Sequence, residues 1–250
     1  MQGTRSRNLG GLVAATALFI AQAAAAEPTL QINGIALNPG ANPADVVAAT
    51  DQLMASAIGK QADGRLLLLA SMADGDNPAT HSFAVLNKSA AAGEAFNQKL
   101  YADPAWAQFQ AAMTKLGTVT STARYRAVKS WGDISDSDVV WLGVALVVKD
   151  APAFLAARDK YSASETGKKF PGQGHVSAVV AAGASPVTHI ISVGYASEAE
   201  MESWGVVNRA SADWQAYQTA VRDNSQIVGF TLSRVVKSWG PATMKDVTAP

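Results

Sequence analysis

From residue 27 onward the chain switches repeatedly between two hydrophobic spacings. Strand-like runs cover Ile32 to Leu37, Arg65 to Ala73, His81 to Leu86 and Val119 to Trp131. Four more follow at Val139 to Val148, Val176 to Ala182, Thr188 to Tyr195 and Ile227 to Trp239. Between them apolar residues recur every three or four positions, as in Val46, Val47, Leu53, Met54, Ala57 and Ile58, or Trp106, Phe109, Met113 and Leu116. That spacing predicts helices with one buried face. Their starts are marked by capping side chains: Asn42-Pro43, Ser89, Asp103-Pro104, Asp150-Ala151-Pro152, and Ser197 with Glu200 three residues on. Gly59 and Gly117 mark helix ends. A polar turn, Asp74 to Pro78, joins the second and third strands as a hairpin.

The pattern is strand, helix, strand, strand, helix, strand, and it occurs twice. The pentapeptide Val-Lys-Ser-Trp-Gly also occurs twice, with Trp131 and Trp239 separated by 108 residues. The same offset pairs Thr80-His81 with Thr188-His189, Trp106 with Trp214, Phe109 with Tyr217 and Arg126 with Arg234. One ungapped offset held over so many aromatic and charged residues is the mark of an internal duplication. The expected fold class is α+β: two tandem ferredoxin-like (βαββαβ) modules, packed sheet to sheet as a fused α+β barrel. The modules are placed at residues 27–133 and 134–241, with 242–250 as a flexible C-terminal tail.

Residues 1–26 read differently. Arg5 and Arg7 precede an uncharged, largely apolar run that ends in Ala24-Ala25-Ala26, the pattern of a cleaved signal peptide. Export to the periplasm or medium is therefore expected, with no stable membrane span after cleavage. Without Met1 to Ala26 the chain keeps 18 Lys and Arg against 20 Asp and Glu. Such a balance, with no basic run, argues against nucleic acid as a partner. The absence of cysteine excludes disulfides, thiolate metal sites and cysteine nucleophiles. Gly-x-Ser-x-Gly, HExxH and dinucleotide fingerprints are missing, and the Asp74 to Asn77 turn lacks the downstream glutamate of a calcium loop. Neither a metal nor a cofactor is expected.

The segment Asp103 to Phe109, "DPAWAQF", matched by Ser211 to Tyr217, "SADWQAY", resembles a segment in the second helix of the dimeric α+β barrel superfamily. That superfamily includes antibiotic-biosynthesis monooxygenase-like, stress-responsive barrel and NIPSNAP-like proteins. The resemblance implies a barrel closed by two similar units, here within a monomer. Cofactor-free oxygenases of the group use a polar cavity with asparagine and tryptophan, and its haem-degrading members add a histidine on the second helix. This chain has no histidine in the corresponding helices, and Asn33 and Trp141 lie in first strands.

Two symmetric pairs are the leading candidates for chemistry. His81 and His189 open equivalent strands; if their face looks into the barrel, both imidazoles reach one cavity, where a pair can bind a metal or haem or exchange protons. The structural alternative is a Thr-His hydrogen bond that closes each hairpin. Arg126 and Arg234 can hold an anion bidentately, or sit as exposed arginines paired to carboxylates. Trp131 and Trp239 are expected at equivalent rims of the barrel, as ligand contacts or core packing, and Lys129 and Lys237 as rim charges. His175 falls in a glycine-rich stretch, Lys168 to His175, read as a flexible loop. The function expected is that of an exported protein binding a small apolar or aromatic molecule; the alternative is a cofactor-independent monooxygenase-like enzyme.

Overall fold

The computed structural model describes residues 27–75 and 77–249; the expected signal peptide lies outside the described residues. In chain order the elements are β1 (Thr29–Leu37), α1 (Pro43–Ala55), β2 (Arg65–Ala73), β3 (His81–Asn87), α2 (Ala90–Ala102), α3 (Pro104–Leu116) and β4 (Gly117–Gly132). The same order returns as β5 (Val140–Val148), α4 (Ala151–Ser162), β6 (Gln173–Ala181), β7 (His189–Tyr195), α5 (Glu198–Ala210), α6 (Ala212–Val221) and β8 (Ser225–Trp239).

The helix starts follow their capping chemistry. Asn42, Ser89, Asp103, Asp150, Ser197 and Ser211 each accept a hydrogen bond from a first-turn backbone N–H, satisfying donors the helix itself cannot. Asp103-Pro104 and Ser211 do more: each splits what would be one long helix into two, so α2 and α3, like α5 and α6, bend around the sheet. The first helix ends at Ala55, and Gly59 starts a short 3-10 turn instead of capping it.

All eight strands are antiparallel and form a closed barrel in the order β1-β3-β2-β8-β5-β7-β6-β4. The halves join at their edges, through the β2–β8 and β4–β6 ladders, and not by laying one sheet face on another. Closure satisfies every edge strand. Helices α1 to α3 cover the outer face of the first half and α4 to α6 that of the second, so the molecule has two helix-to-sheet layers and one barrel interior.

The repeated pentapeptide lies on the two seams. Trp131, on β4, packs against Leu146, Val148, Phe154 and Val176 of the second half. Trp239, on β8, packs against Ile35, Val46, Leu68 and Phe83 of the first. These tryptophans are therefore not at the barrel rim; each seals the other half's helix layer. Lys129 and Lys237 cross in the same way, bonding Asp159 of α4 at 2.6 Å and Asp51 of α1 at 2.7 Å.

The C-terminal residues are packed and not a flexible tail. Ala242, Met244 and Val247 are 3%, 4% and 2% exposed and join Leu67, Ala84 and Leu86 in one cluster at one mouth of the barrel. Arg65 holds them by donating to the Ala242 carbonyl at 3.2 Å while pairing with Asp136 at 2.7 Å, and Asp136 accepts from the Met244 N–H at 2.9 Å. Burying three apolar side chains is worth several kcal/mol in total, more than the loss of their freedom.

Candidate functional site

The symmetric pairs do not meet in one cavity. Along β3 and β7 the histidines share a face with Phe83 and with Ile191, whose side chains pack beneath the helices. His81 also borders the barrel interior, whereas His189 borders none of the cavities. Each Nδ1 is instead engaged by the preceding threonine, at 3.1 Å from Thr80 Oγ1 and 3.0 Å from Thr188 Oγ1. Those hydroxyls also accept from the Leu37 and Val148 N–H groups, which ties the hairpin to the neighbouring strand twice over. Burial lowers both histidine pKa values. Arg126 and Arg234 are half exposed and paired with Glu27 and Glu198, outside all the cavities described below.

What the structure does bring together lies between the second half's sheet and its helices. On α4 the spacing of Phe154, Arg158 and Tyr161 turns all three to the buried side. Helix α5 adds Trp204 and Asn208, α6 adds Trp214 and Tyr217, and β7 adds Tyr195. They line an open chamber of about 1200 Å³. Phe170 closes one end, edge-on to Tyr195 with ring centroids 5.8 Å apart, and Tyr161 packs against Trp214 and Tyr217 at 5.4 Å. The Tyr161 hydroxyl donates to Asn208 Oδ1.

Arg158 is the unusual member. It is only 8% exposed, yet the ion pairs among the described residues involve Arg65, Arg126, Lys129, Lys168, Arg234 and Lys237 and leave it out. Its guanidinium lies over the Trp131 ring at 3.7 Å, with the Tyr161 and Tyr217 rings at 5.1 and 5.7 Å, and its Nε has no hydrogen-bond partner among the described residues. Burial pushes its pKa down, opposed by attraction to the phenols of Tyr217, Tyr161 and Tyr195. Arginine nevertheless stays protonated at neutral pH because its ordinary pKa is so high. A buried cation without a counterion is costly, and aromatic faces repay only part of that cost. The same burial pushes Tyr217 up, and Tyr195 up to about 12, so these phenols remain hydrogen-bond donors.

The barrel interior is a second cavity, of about 290 Å³. Here the expectation for His175 fails. It lies within β6, 8% exposed, stacked on Trp141 with centroids 5.8 Å apart. Its Nδ1 bonds Ser130 Oγ at 2.9 Å and its Nε2 bonds Gln173 Oε1 at 3.1 Å, while the Gln173 amide donates to Asp138. Burial lowers the imidazole pKa to about 4, so the ring is neutral. The nearby glycines that looked like loop residues serve close packing: a Cβ on Gly174 would stand 2.0 Å from the Trp131 ring, and one on Gly172 2.0 Å from the Gly194 carbonyl oxygen.

Sequence reasoning missed Arg158, because one arginine inside an alanine-rich helix carries no motif. The 108-residue offset held a signal: Arg158 aligns with Thr50, a charged residue opposite a small one at a buried helical position. For a haem in the chamber, the histidine donors do not fit. Histidines lie on β3, β6 and β7 and on no helix, and the chamber lining offers no imidazole.

No sequence family matches the chain, and no curated protein matches it. Solved structures do. A candidate monooxygenase from Lactobacillus acidophilus superposes with a TM-score of 0.57 at 14% identity, over 87% of this chain and 97% of that one. A candidate monooxygenase from Fusobacterium nucleatum gives 0.58 at 13%, over 87% and 96%. An anthrone oxidase-like protein gives 0.52 at 11%, over 90% and 96%. At such identities the likeness is one of fold.

Proposed function

We propose that the chamber of the second half binds a small aromatic molecule bearing an acidic oxygen, and that the protein is a cofactor-independent, monooxygenase-like enzyme. One observation carries this reading: a buried arginine without a carboxylate partner in a wide, aromatic-walled space. An enolate or phenolate supplies the missing counterion, and aromatic walls hold its ring by stacking. Names carried by the structural neighbours, candidate monooxygenases and an anthrone oxidase-like protein, favour the same chemistry.

The reaction needs little from the protein. An activated methylene group between two ring carbons reacts with one molecule of dioxygen to give a ketone and one molecule of water. Both C–H bonds of the methylene are lost, one oxygen atom enters the product as the carbonyl, and the other leaves as water with the two hydrogens. Arg158 stabilises the enolate by placing fixed positive charge beside its oxygen. That oxyanion makes the carbon electron-rich enough to reduce dioxygen. Tyr217 and Tyr195, held protonated, donate hydrogen bonds to the oxygen atoms as charge builds on them.

The test uses anthrone as probe. With the full chain, oxygen uptake and anthraquinone formation are expected in a one-to-one ratio, faster than in buffer, and Arg158→Met is expected to lower kcat/KM by about 100-fold. Equal rates for protein, variant and buffer would refute the enzymatic reading. Binding without turnover is the second reading, and a specific observation favours it: the one carboxylate among the described lining residues, Glu202, is exposed, so the proton must leave to water. Saturable quenching of tryptophan fluorescence by anthrone, with no oxygen uptake, would identify a binding protein.

Two further points belong to this reading. The common 108-residue offset and the matching order of elements support a duplicated ferredoxin-like unit, residues 27–133 and 134–241, that closes its barrel as a monomer. The pattern from Arg5 to Ala26 supports export. An exported form whose N-terminus lies near Glu27 is expected from N-terminal sequencing.

A further inference from the structure

The barrel interior and the chamber lie on opposite faces of the sheet, and Leu142 and Val144 of β5 with Leu232 of β8 border both. On β6, His175 and Ser177 face inward while Val176 packs on the helix side. The inner wall divides by chemistry. Leu67, Leu69, Ala84 and Ile190 form an apolar surface; Tyr125, Ser177 and Trp141 form a polar one. Tyr125 and Ser177 are 9% and 6% exposed, and neither hydroxyl has a hydrogen bond to another described protein group. Trp141 Nε1 is buried with no partner among the described residues. Among the described lining residues the acidic one, Asp74, belongs to the turn at the mouth opposite the C-terminal segment.

The geometry points to a second binding site, inside the barrel, for a neutral and mainly apolar small molecule that carries a hydrogen-bond-accepting oxygen. A charged ligand would lose its hydration and meet no counterion, whereas a carbonyl or ether oxygen can accept from Trp141 and Tyr125. The apolar remainder lies against the leucines and Ile190. His175 suits this as a neutral ring stacked behind Trp141, fixed at both nitrogens. Met244 and Val247 also line the space, so the C-terminal segment closes one mouth over the ligand.

Benzophenone is a suitable probe: neutral, apolar, with one carbonyl, and able on irradiation to insert into nearby C–H bonds. Saturable labelling of the full chain is expected, with adducts on Met244, Leu69 or Ile190. Filling the interior with Ser177→Leu is expected to reduce that labelling at least tenfold. Trp141→Phe, which keeps the ring and removes the donor, is expected to weaken binding by about fivefold, the loss of one hydrogen bond. Thermal melts check that both variants fold, and the tryptophan variant decides if the leucine variant does not. Adducts confined to chamber residues such as Met201, labelling that does not saturate, or affinities unchanged in the folded variants would each overturn the proposal and leave the interior as a water-filled space. Because Arg158 lies outside this cavity, Arg158→Met is expected to label the interior normally, so failure of this site and failure of the chamber reading are separable.

Discussion

The two halves of the molecule share a backbone plan and differ in what fills the space under their helices. In the first half, Leu53, Phe96, Leu100, Trp106 and Phe109 close the layer down to a cavity of about 170 Å³. The positions 108 residues later hold Tyr161, Trp204, Asn208, Trp214 and Tyr217, and the space is about 1200 Å³. Thr50, fully buried, donates to the Val46 carbonyl at 2.8 Å; Arg158 takes its place in the second half with the Tyr217 phenol as its hydrogen-bonding neighbour and no carboxylate among the described residues. Trp239 donates its Nε1 to Asp51 at 2.7 Å, whereas Trp131 leaves its Nε1 unpaired beneath Arg158. At these matched positions the first half pairs its polar groups within the helix layer. The second leaves the Arg158 Nε and the Trp131 Nε1 without partners among the described residues, beside an open space, as a binding site does.

Giving the first half the second half's arginine should break this contrast most strongly. Thr50→Arg puts a long cation into a filled, uncharged layer and is expected to cost about 4 kcal/mol or to prevent folding. Urea unfolding is the measurement; a variant as stable as the parent would show that the first half has room and counter-charge that its packing denies.

Next in size is the buried imidazole between the halves. His175 has a folded pKa of about 4, below the ordinary 6.5, so the unfolded chain takes up the proton first. Its contribution is complete above pH 6.5 and is lost as the pH falls toward 4, by at most about 3 kcal/mol. Asp138, pushed up mainly by burial, titrates in the opposite sense, so the parent minus His175→Gln difference isolates the histidine. That difference should shrink between pH 6.5 and 4 in urea titrations, and a difference independent of pH would contradict the buried neutral ring.

The smallest effect separates the two tryptophans. Both Trp→Phe changes lose a similar ring volume from a seam, and Trp239→Phe also removes a hydrogen bond to a carboxylate, so it is expected to cost about 1 kcal/mol more than Trp131→Phe. Trp131→Phe thins the aromatic surface under Arg158 and should weaken anthrone binding. Equal stability losses in thermal melts would mean that Trp131 has a partner after all.

Much of the architecture was legible in the sequence because it depends on local chemistry. Alternation marked the strands; Asn42, Ser89, Asp103, Asp150 and Ser197 marked the helix starts; and both are satisfied within a few residues of the chain. Repetition also made the Thr-His pairs visible, and their hydrogen bond was one of the two readings the residues allowed. Repetition misled about where chemistry resides, since what two halves keep in common is what folding requires of both. Trp131 and Trp239 recur because each seam needs sealing, and Arg126 and Arg234 recur as exposed ion pairs. Arg158, His175 and the C-terminal residues occur once each and follow no period. Their surroundings come from remote segments: Trp131 reaches Arg158 only because β4 pairs with β6, His175 turns inward only because the sheet closes, and Met244 is buried only because Leu67 and Leu86 form a mouth for it. Burial of that kind depends on which strands become neighbours, and that choice was made by closure of the barrel, not by any residue's nearest neighbours in the chain.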